Sequence, residues 1–185
     1  LNQLHHFRVH LSDETAADGN LGIHFIHERG KGKNPMPLLL IHGWPDSFYR
    51  MVKLIPLLTD PARFGGDPDD SFDVIVPSLP GFGFSDKPAN PGMNSVRIAE
   101  LFTRLMTDVL GYERFGVAGG DLGSRIARLM AIAHPERITG MHLTDIGFEY
   151  EVAFPPALPD PTPAEEAFQR STGWWFMSEG AYIMM

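Results

Sequence analysis

At 185 residues, with 43% hydrophobic and 21% charged, the chain has the length and composition of one globular domain, which excludes a disordered protein. A formal net charge of −8 with no basic run excludes a phosphate-backbone binder, because nucleic acids are held by clustered Lys and Arg. Cysteine is absent, so a disulfide framework and a thiolate metal site are excluded, and the eight histidines show no metal-ligand spacing.

Residues 7–11 and 21–27 are partly alternating apolar runs on either side of the polar loop 12–20, which predicts an antiparallel hairpin carrying His24 and His27 in its second strand. After a glycine-containing loop at 30–34, Pro37-Leu38-Leu39-Leu40-Ile41 is continuously apolar, as suits a strand buried on both faces of a parallel sheet. It runs into His42-Gly43-Trp44-Pro45. Ser47 is a suitable N-cap for a helix whose stripe is Met51, Leu54, Ile55 and Leu58. The stretch 60–71 is rich in Gly, Pro and Asp and reads as loop.

Residues 73–76 form the next buried strand, followed by the turn-rich Pro77-Ser78-Leu79-Pro80-Gly81-Phe82-Gly83-Phe84-Ser85 at the end where open α/β sheets bind ligands. Asn94 or Ser95 caps a helix carrying Ile98, Leu101, Phe102, Leu105 and Val109, closed by Gly111. A strand at 115–118 then reaches Gly119-Gly120-Asp121-Leu122-Gly123 and passes into a helix with Ile126, Leu129, Met130 and Ala133, ended by Pro135. Ile138–Leu143 gives a further strand. Alternating strands and helices imply an α/β fold with a mostly parallel sheet and helices on both faces. From residue 148 the prolines multiply, and 165–185 reads as helical and aromatic-rich.

Asp121 carries the chemical interest. Small-x-nucleophile-x-small is the nucleophile elbow, a sharp strand-to-helix turn that holds one side chain above the sheet. A serine there needs a base to take its proton, whereas a carboxylate is ionised at neutral pH and attacks an electrophilic sp3 carbon directly. The alternative is that Asp121 caps the following helix. In hydrolases of this type, N–H groups after the first buried strand and after the nucleophile form the oxyanion hole, which makes Trp44 and Leu122 the candidates. A tight turn fixed by Pro45 is the competing reading of His42–Pro45.

Together and in this order, His-Gly-Trp-Pro, Ser-Leu-Pro-Gly-Phe-Gly-Phe-Ser and Gly-Gly-Asp-Leu-Gly resemble the α/β-hydrolase epoxide hydrolases, in the branch with the microsomal and juvenile-hormone enzymes. The resemblance divides the chain into the end of an N-terminal extension with the opening hairpin (1–36), the first half of the core (37–147) and the start of a cap (148–185). It implies that Asp121 opens an epoxide by forming an alkyl-enzyme ester, that Tyr182 hydrogen-bonds the departing oxygen, and that a histidine oriented by an acid then activates water. The product is a vicinal diol. His42, Pro45, Phe82, Trp174 and Trp175 are expected to line the substrate pocket, with no cofactor and no metal; the expected partner is the small-molecule epoxide, with no nucleic acid and no membrane segment in this chain. A cytoplasmic location is expected, with the natural start upstream of Leu1.

The departures from that pattern concern the second half of the reaction. The family's histidine comes late in the chain; His134, at a helix end, and His142, within a strand, do not match it, and the chain is expected to be a fragment ending within the cap. Asp145 sits where certain haloalkane dehalogenases keep their acid, a role set against that of a loop carboxylate or helix cap. A haloalkane dehalogenase also uses an elbow aspartate but is similar to its relatives in placing Trp next, where this chain has Leu122. The remaining alternative is a non-catalytic fragment acting in binding.

Overall fold

A computed structural model of the chain describes residues 3–145 and 160–179. These fall in two units, Leu1–Asp145 and Ile146–Met185. In the first, β1 (His6–Ser12) and β2 (Asn20–Glu28) form the expected hairpin, in register from His6 opposite Ile26 to Ser12 opposite Asn20. Gly19, at φ +76°, turns the chain back into β2.

β2 pairs antiparallel with β4 (Phe72–Pro77), and β4, β3 (Met36–Ile41), β5 (Phe115–Gly119) and β6 (Ile138–Leu143) run parallel, in the order β1-β2-β4-β3-β5-β6. Strand periodicity explains why the inner strands are apolar throughout. On one face Leu39, Ile41, Ile75 and Val117 pack with α2 (Ser95–Arg104) and α3 (Leu122–Ala133); on the other Leu40, Val74 and Val76 pack with Phe48 and Ile55. Each such fully buried side chain contributes roughly 1.5–3 kcal/mol of transfer free energy.

Two helices depart from expectation. The predicted helix beyond Ser47 divides into a 3-10 turn, Phe48–Met51, and α1 (Ile55–Thr59). Pro56 is the reason: lacking an N–H, it is tolerated only in the first turn of a helix, so α1 starts just before it. Ser47 still caps, its Oγ accepting from the Tyr49 N–H at 3.2 Å. The predicted helix to Val109 is α-helical only to Arg104 and continues as a π-helical turn, Leu105–Val109, with Thr103 and Thr107 hydroxyls donating to the carbonyls of Ala99 and Thr103. Asn94 is the N-cap, accepting from the Arg97 N–H at 3.0 Å. The stretch 60–71 contains two further 3-10 turns.

In the second unit, α4 (Pro163–Glu179) opens on a capping box. Thr162 Oγ1 accepts from the Glu165 N–H, and the Glu165 carboxylate accepts from the Thr162 N–H at 2.8 Å. Pro163 therefore belongs to the helix rather than to the proline-rich stretch before it, occupying the first position where a missing N–H costs nothing.

Candidate active site

The strand order reverses at β3, with β4 on one side and β5 on the other, so the carboxyl ends of β3 and β5 lie side by side. That is where an open α/β sheet leaves a crevice. Two loops meet there, His42–Pro45 after β3, with a cis Trp44–Pro45 bond, and Gly120–Asp121 after β5.

Asp121 has φ 57° and ψ −129°, the one non-glycine residue with positive φ among the described residues. Such backbone costs of order 1–3 kcal/mol and persists only where its surroundings fix it. They do so here. The Asp145 carboxylate accepts from the Asp121 N–H at 2.5 Å, and the Asp121 carbonyl accepts from the Ser124 N–H at 3.0 Å. Below the turn, the Gly119 carbonyl accepts from the Ser124 hydroxyl at 2.8 Å and the Thr144 N–H at 3.1 Å. Gly119 and Gly123 are required by closeness: a Cβ on the first would lie 2.4 Å from the Gly123 carbonyl, and one on the second 2.2 Å from the Ile41 carbonyl oxygen. The two flanking glycines therefore let α3 start in contact with β3 and β5.

The Asp121 side chain is held as firmly. Its Oδ1 accepts from the Trp44 N–H at 2.9 Å and the Leu122 N–H at 2.7 Å, so the two candidate donors converge on one oxygen. An ordinary N-cap has extended backbone and accepts from the second or third N–H of its helix; Asp121 has neither property, since its φ is positive and its side chain accepts from the first N–H and from a donor in the loop after β3. Gly43 makes room, since a Cβ there would lie 2.5 Å from Asp121 Cβ and Oδ1.

Other expected site residues are placed differently. His42 is fully buried behind the β3 loop, with Nδ1 2.9 Å from the Gly43 carbonyl oxygen and Nε2 accepting from the Leu79 N–H at 3.1 Å. Burial lowers its pKa, against a hydrogen bond to Gly43 that works to raise it. Phe82 is half-buried with its ring edge-on to His42, whereas Trp44 and Pro45 are exposed. Trp174 and Trp175 lie on α4, both exposed, and Tyr182 lies outside the described residues. Asp145 is next to Asp121 in space, through a backbone contact that its sequence position did not announce. His134 closes α3 and bonds Glu100 at 2.9 Å, and His142 is exposed on β6. Gly43 was missed altogether; a glycine after a buried strand gives no signal of a carboxylate packed upon it.

Among the described residues no three His, Cys, Asp or Glu side chains group to hold a metal, and no helix is long and apolar enough to cross a membrane.

A family model for the alpha/beta hydrolase fold matches residues 36–176, and one for the epoxide hydrolase N terminus matches residues 1–51. The chain is 43% identical over 147 residues to epoxide hydrolase 1 of Oryctolagus cuniculus, covering 77% of this chain and 30% of that protein. The crystal structure of juvenile hormone epoxide hydrolase from the silkworm Bombyx mori superposes with a TM-score of 0.66 at 36% identity, over 84% of this chain and 40% of that one. The Aspergillus niger epoxide hydrolase structure superposes with a TM-score of 0.70 at 29% identity, over 99% and 45%. The chain thus spans about a third of the length of the curated relatives it matches.

Proposed function

This chain belongs to the α/β-hydrolase fold family and carries that family's epoxide hydrolase N-terminal segment, and from that premise we propose that it is the nucleophile-bearing part of an epoxide hydrolase that turns a small-molecule epoxide into a vicinal diol. One observation carries the reading: two backbone N–H groups, one from the loop after β3 and one from the start of α3, converge on a single oxygen of a carboxylate held in strained backbone.

The convergence suits a two-step reaction. With Oδ1 fixed between Trp44 and Leu122, Oδ2 attacks an epoxide carbon, the C–O bond of the ring breaks, and the ring oxygen takes a proton from an acid. By resemblance that acid is the Tyr182 phenol, protonated at neutral pH. In the resulting ester Oδ1 is the carbonyl oxygen. Water adding to that carbonyl puts negative charge on Oδ1, and the same two donors stabilise it, a contribution of about 3–4 kcal/mol for one such donor. The site is thus set for the charge of the second step by contacts already made before the first.

Activating that water needs a base. His24 and His42 are unsuited, because each is buried with both ring nitrogens engaged. By resemblance to the family, this step falls to a histidine later in the whole protein. Asp145 is read as a support of the elbow rather than as that histidine's acid, on its bond to the Asp121 N–H.

The test is to incubate the whole protein with styrene oxide, and separately with a haloalkane, and to map adducts by mass spectrometry. Addition of one styrene oxide mass at Asp121 is expected, with no alkylation by the haloalkane. Alkylation elsewhere, or only by the haloalkane, overturns the reading.

A further inference from the structure

Resting on the reading of Asp121 as nucleophile, we propose that His42 is a positioning residue that fixes the plane of the Gly43–Trp44 peptide, and through it the direction of the oxyanion-hole N–H. The Leu79 backbone N–H, 3.1 Å from Nε2, can only donate, so Nε2 is the unprotonated nitrogen. Neutral imidazole then carries its proton on Nδ1, which donates to the Gly43 carbonyl at 2.9 Å.

That carbonyl and the Trp44 N–H belong to one planar peptide unit and point in opposite directions. One end is held by His42 and the other by Asp121 Oδ1, at 2.9 Å. Rotating the unit breaks both bonds together and turns a carbonyl oxygen toward a carboxylate.

The position needs such a hold. Residue 43 is glycine because a Cβ would strike the Asp121 carboxylate, and glycine is also the residue that least resists rotation of its own backbone. The steric demand of the nucleophile thus removes local stiffness from the donor it depends on, and the buried imidazole supplies it from behind. The ring is well anchored for this task, being fully buried and edge-on to Phe82, with ring centroids 5.6 Å apart. A hydrogen bond accepted by a peptide carbonyl also polarises that peptide's N–H, strengthening it as a donor.

The Leu122 N–H belongs to a different peptide and serves as an internal control. Two polar variants separate the ring's functions: His42→Asn keeps a donor near the place of Nδ1, and His42→Gln keeps an acceptor near the place of Nε2. In the whole protein, amide hydrogen exchange is read at Trp44 and Leu122, alongside single-turnover rates of ester formation and ester hydrolysis with styrene oxide. The Gln variant is expected to expose the Trp44 amide, with exchange about 10²-fold faster and Leu122 unchanged, and to slow ester hydrolysis by about 10²–10³-fold, more than ester formation. The Asn variant is expected to restore Trp44 protection and most of the hydrolysis rate. Equal Trp44 exchange in wild type and Gln variant, or equal behaviour of the two variants, overturns the proposal. Exchange is measured without substrate, so failure of Asp121 to be alkylated counts against the nucleophile reading while the exchange contrast still decides the role of His42.

Discussion

Two buried histidines, one within β2 and one just after β3, do different work. His42, after β3, braces the peptide that faces Asp121. His24, in β2, lies 2.9 Å from Ser78 Oγ through Nδ1 and 2.9 Å from His6 through Nε2, with its ring against those of Phe48 and Phe84. Around it the loop after β4 is clasped to the hairpin: the His24 N–H donates to Ser85 Oγ at 3.0 Å, the Gly22 N–H to the Asp86 carboxylate at 2.8 Å, and Arg8 pairs with Asp86. The first region spends backbone strain on positioning a reactive group, and the second uses the same kinds of bond to hold two segments together. On the proposed reading, a buried, fully bonded histidine gains a chemical role only where the peptide it holds also faces a reacting group.

The largest effect that would break this contrast is at the nucleophile itself. Asp121→Ala in the whole protein is expected to abolish ester formation, measured by mass spectrometry after exposure to styrene oxide, because the attacking atoms are gone. Turnover at the wild-type rate would remove the chemistry from this region.

Gly43→Ala comes next. Its methyl group would lie 2.5 Å from Asp121 Oδ1, so the carboxylate must leave its two donors. We expect kcat to fall by at least the roughly 10²–10³-fold that one oxyanion donor is worth, with a stability loss of about 1–3 kcal/mol from the overpacked turn.

At the clasp the expected effect is on stability. His24→Ala removes a buried ring and leaves Ser78 without its partner, a loss of about 2–4 kcal/mol, read by denaturant unfolding, with ester formation per folded molecule unchanged. The same residue makes the clasp sensitive to acid. Burial, with His6 and Arg8 nearby, lowers its pKa from 6.5 to about 4. Between those values the unfolded chain binds a proton that the native one does not, so stability is full above pH 6.5 and declines as pH falls toward 4, by roughly 3 kcal/mol in all. Unfolding curves that show no decline over that window would deny that the ring is buried as described.

The smallest effect sharpens the comparison at the other end of β2. Tyr112 donates to the Asp73 carboxylate at 2.7 Å and accepts from Arg29 at 2.7 Å, and both burial and the Asp73 bond raise its pKa. Tyr112→Phe is expected to cost about 1 kcal/mol by the same unfolding measurement, with no change in ester formation.

Much of this was legible in the sequence, for definite reasons. Continuous apolar runs marked β3, β4 and β5 because those strands are buried on both faces, and the glycines around Asp121 marked the elbow because α3 meets β3 and β5 there at van der Waals distance. Pro56 and the π-helical turn were less legible, since a hydrophobic stripe continues through both while the backbone changes. The direction of the His42 ring was not legible, because nothing in His-Gly-Trp-Pro says which way it turns; only the Leu79 N–H, 37 residues on, settles it. Asp145 gave no sign of its bond to Asp121 because the contact is to a backbone N–H, which every residue but proline offers.

The central claim, that an Asp121 oxygen attacks the epoxide, is tested most directly by a single turnover of the whole protein with excess enzyme in water enriched in ¹⁸O. If the ester forms through Oδ2 and is cleaved at its carbonyl, the first diol carries away an unlabelled oxygen from Asp121 and the peptide containing Asp121 gains one ¹⁸O. Label in the first diol, with the Asp121 peptide unlabelled, would mean that water attacks the epoxide itself and would contradict the account.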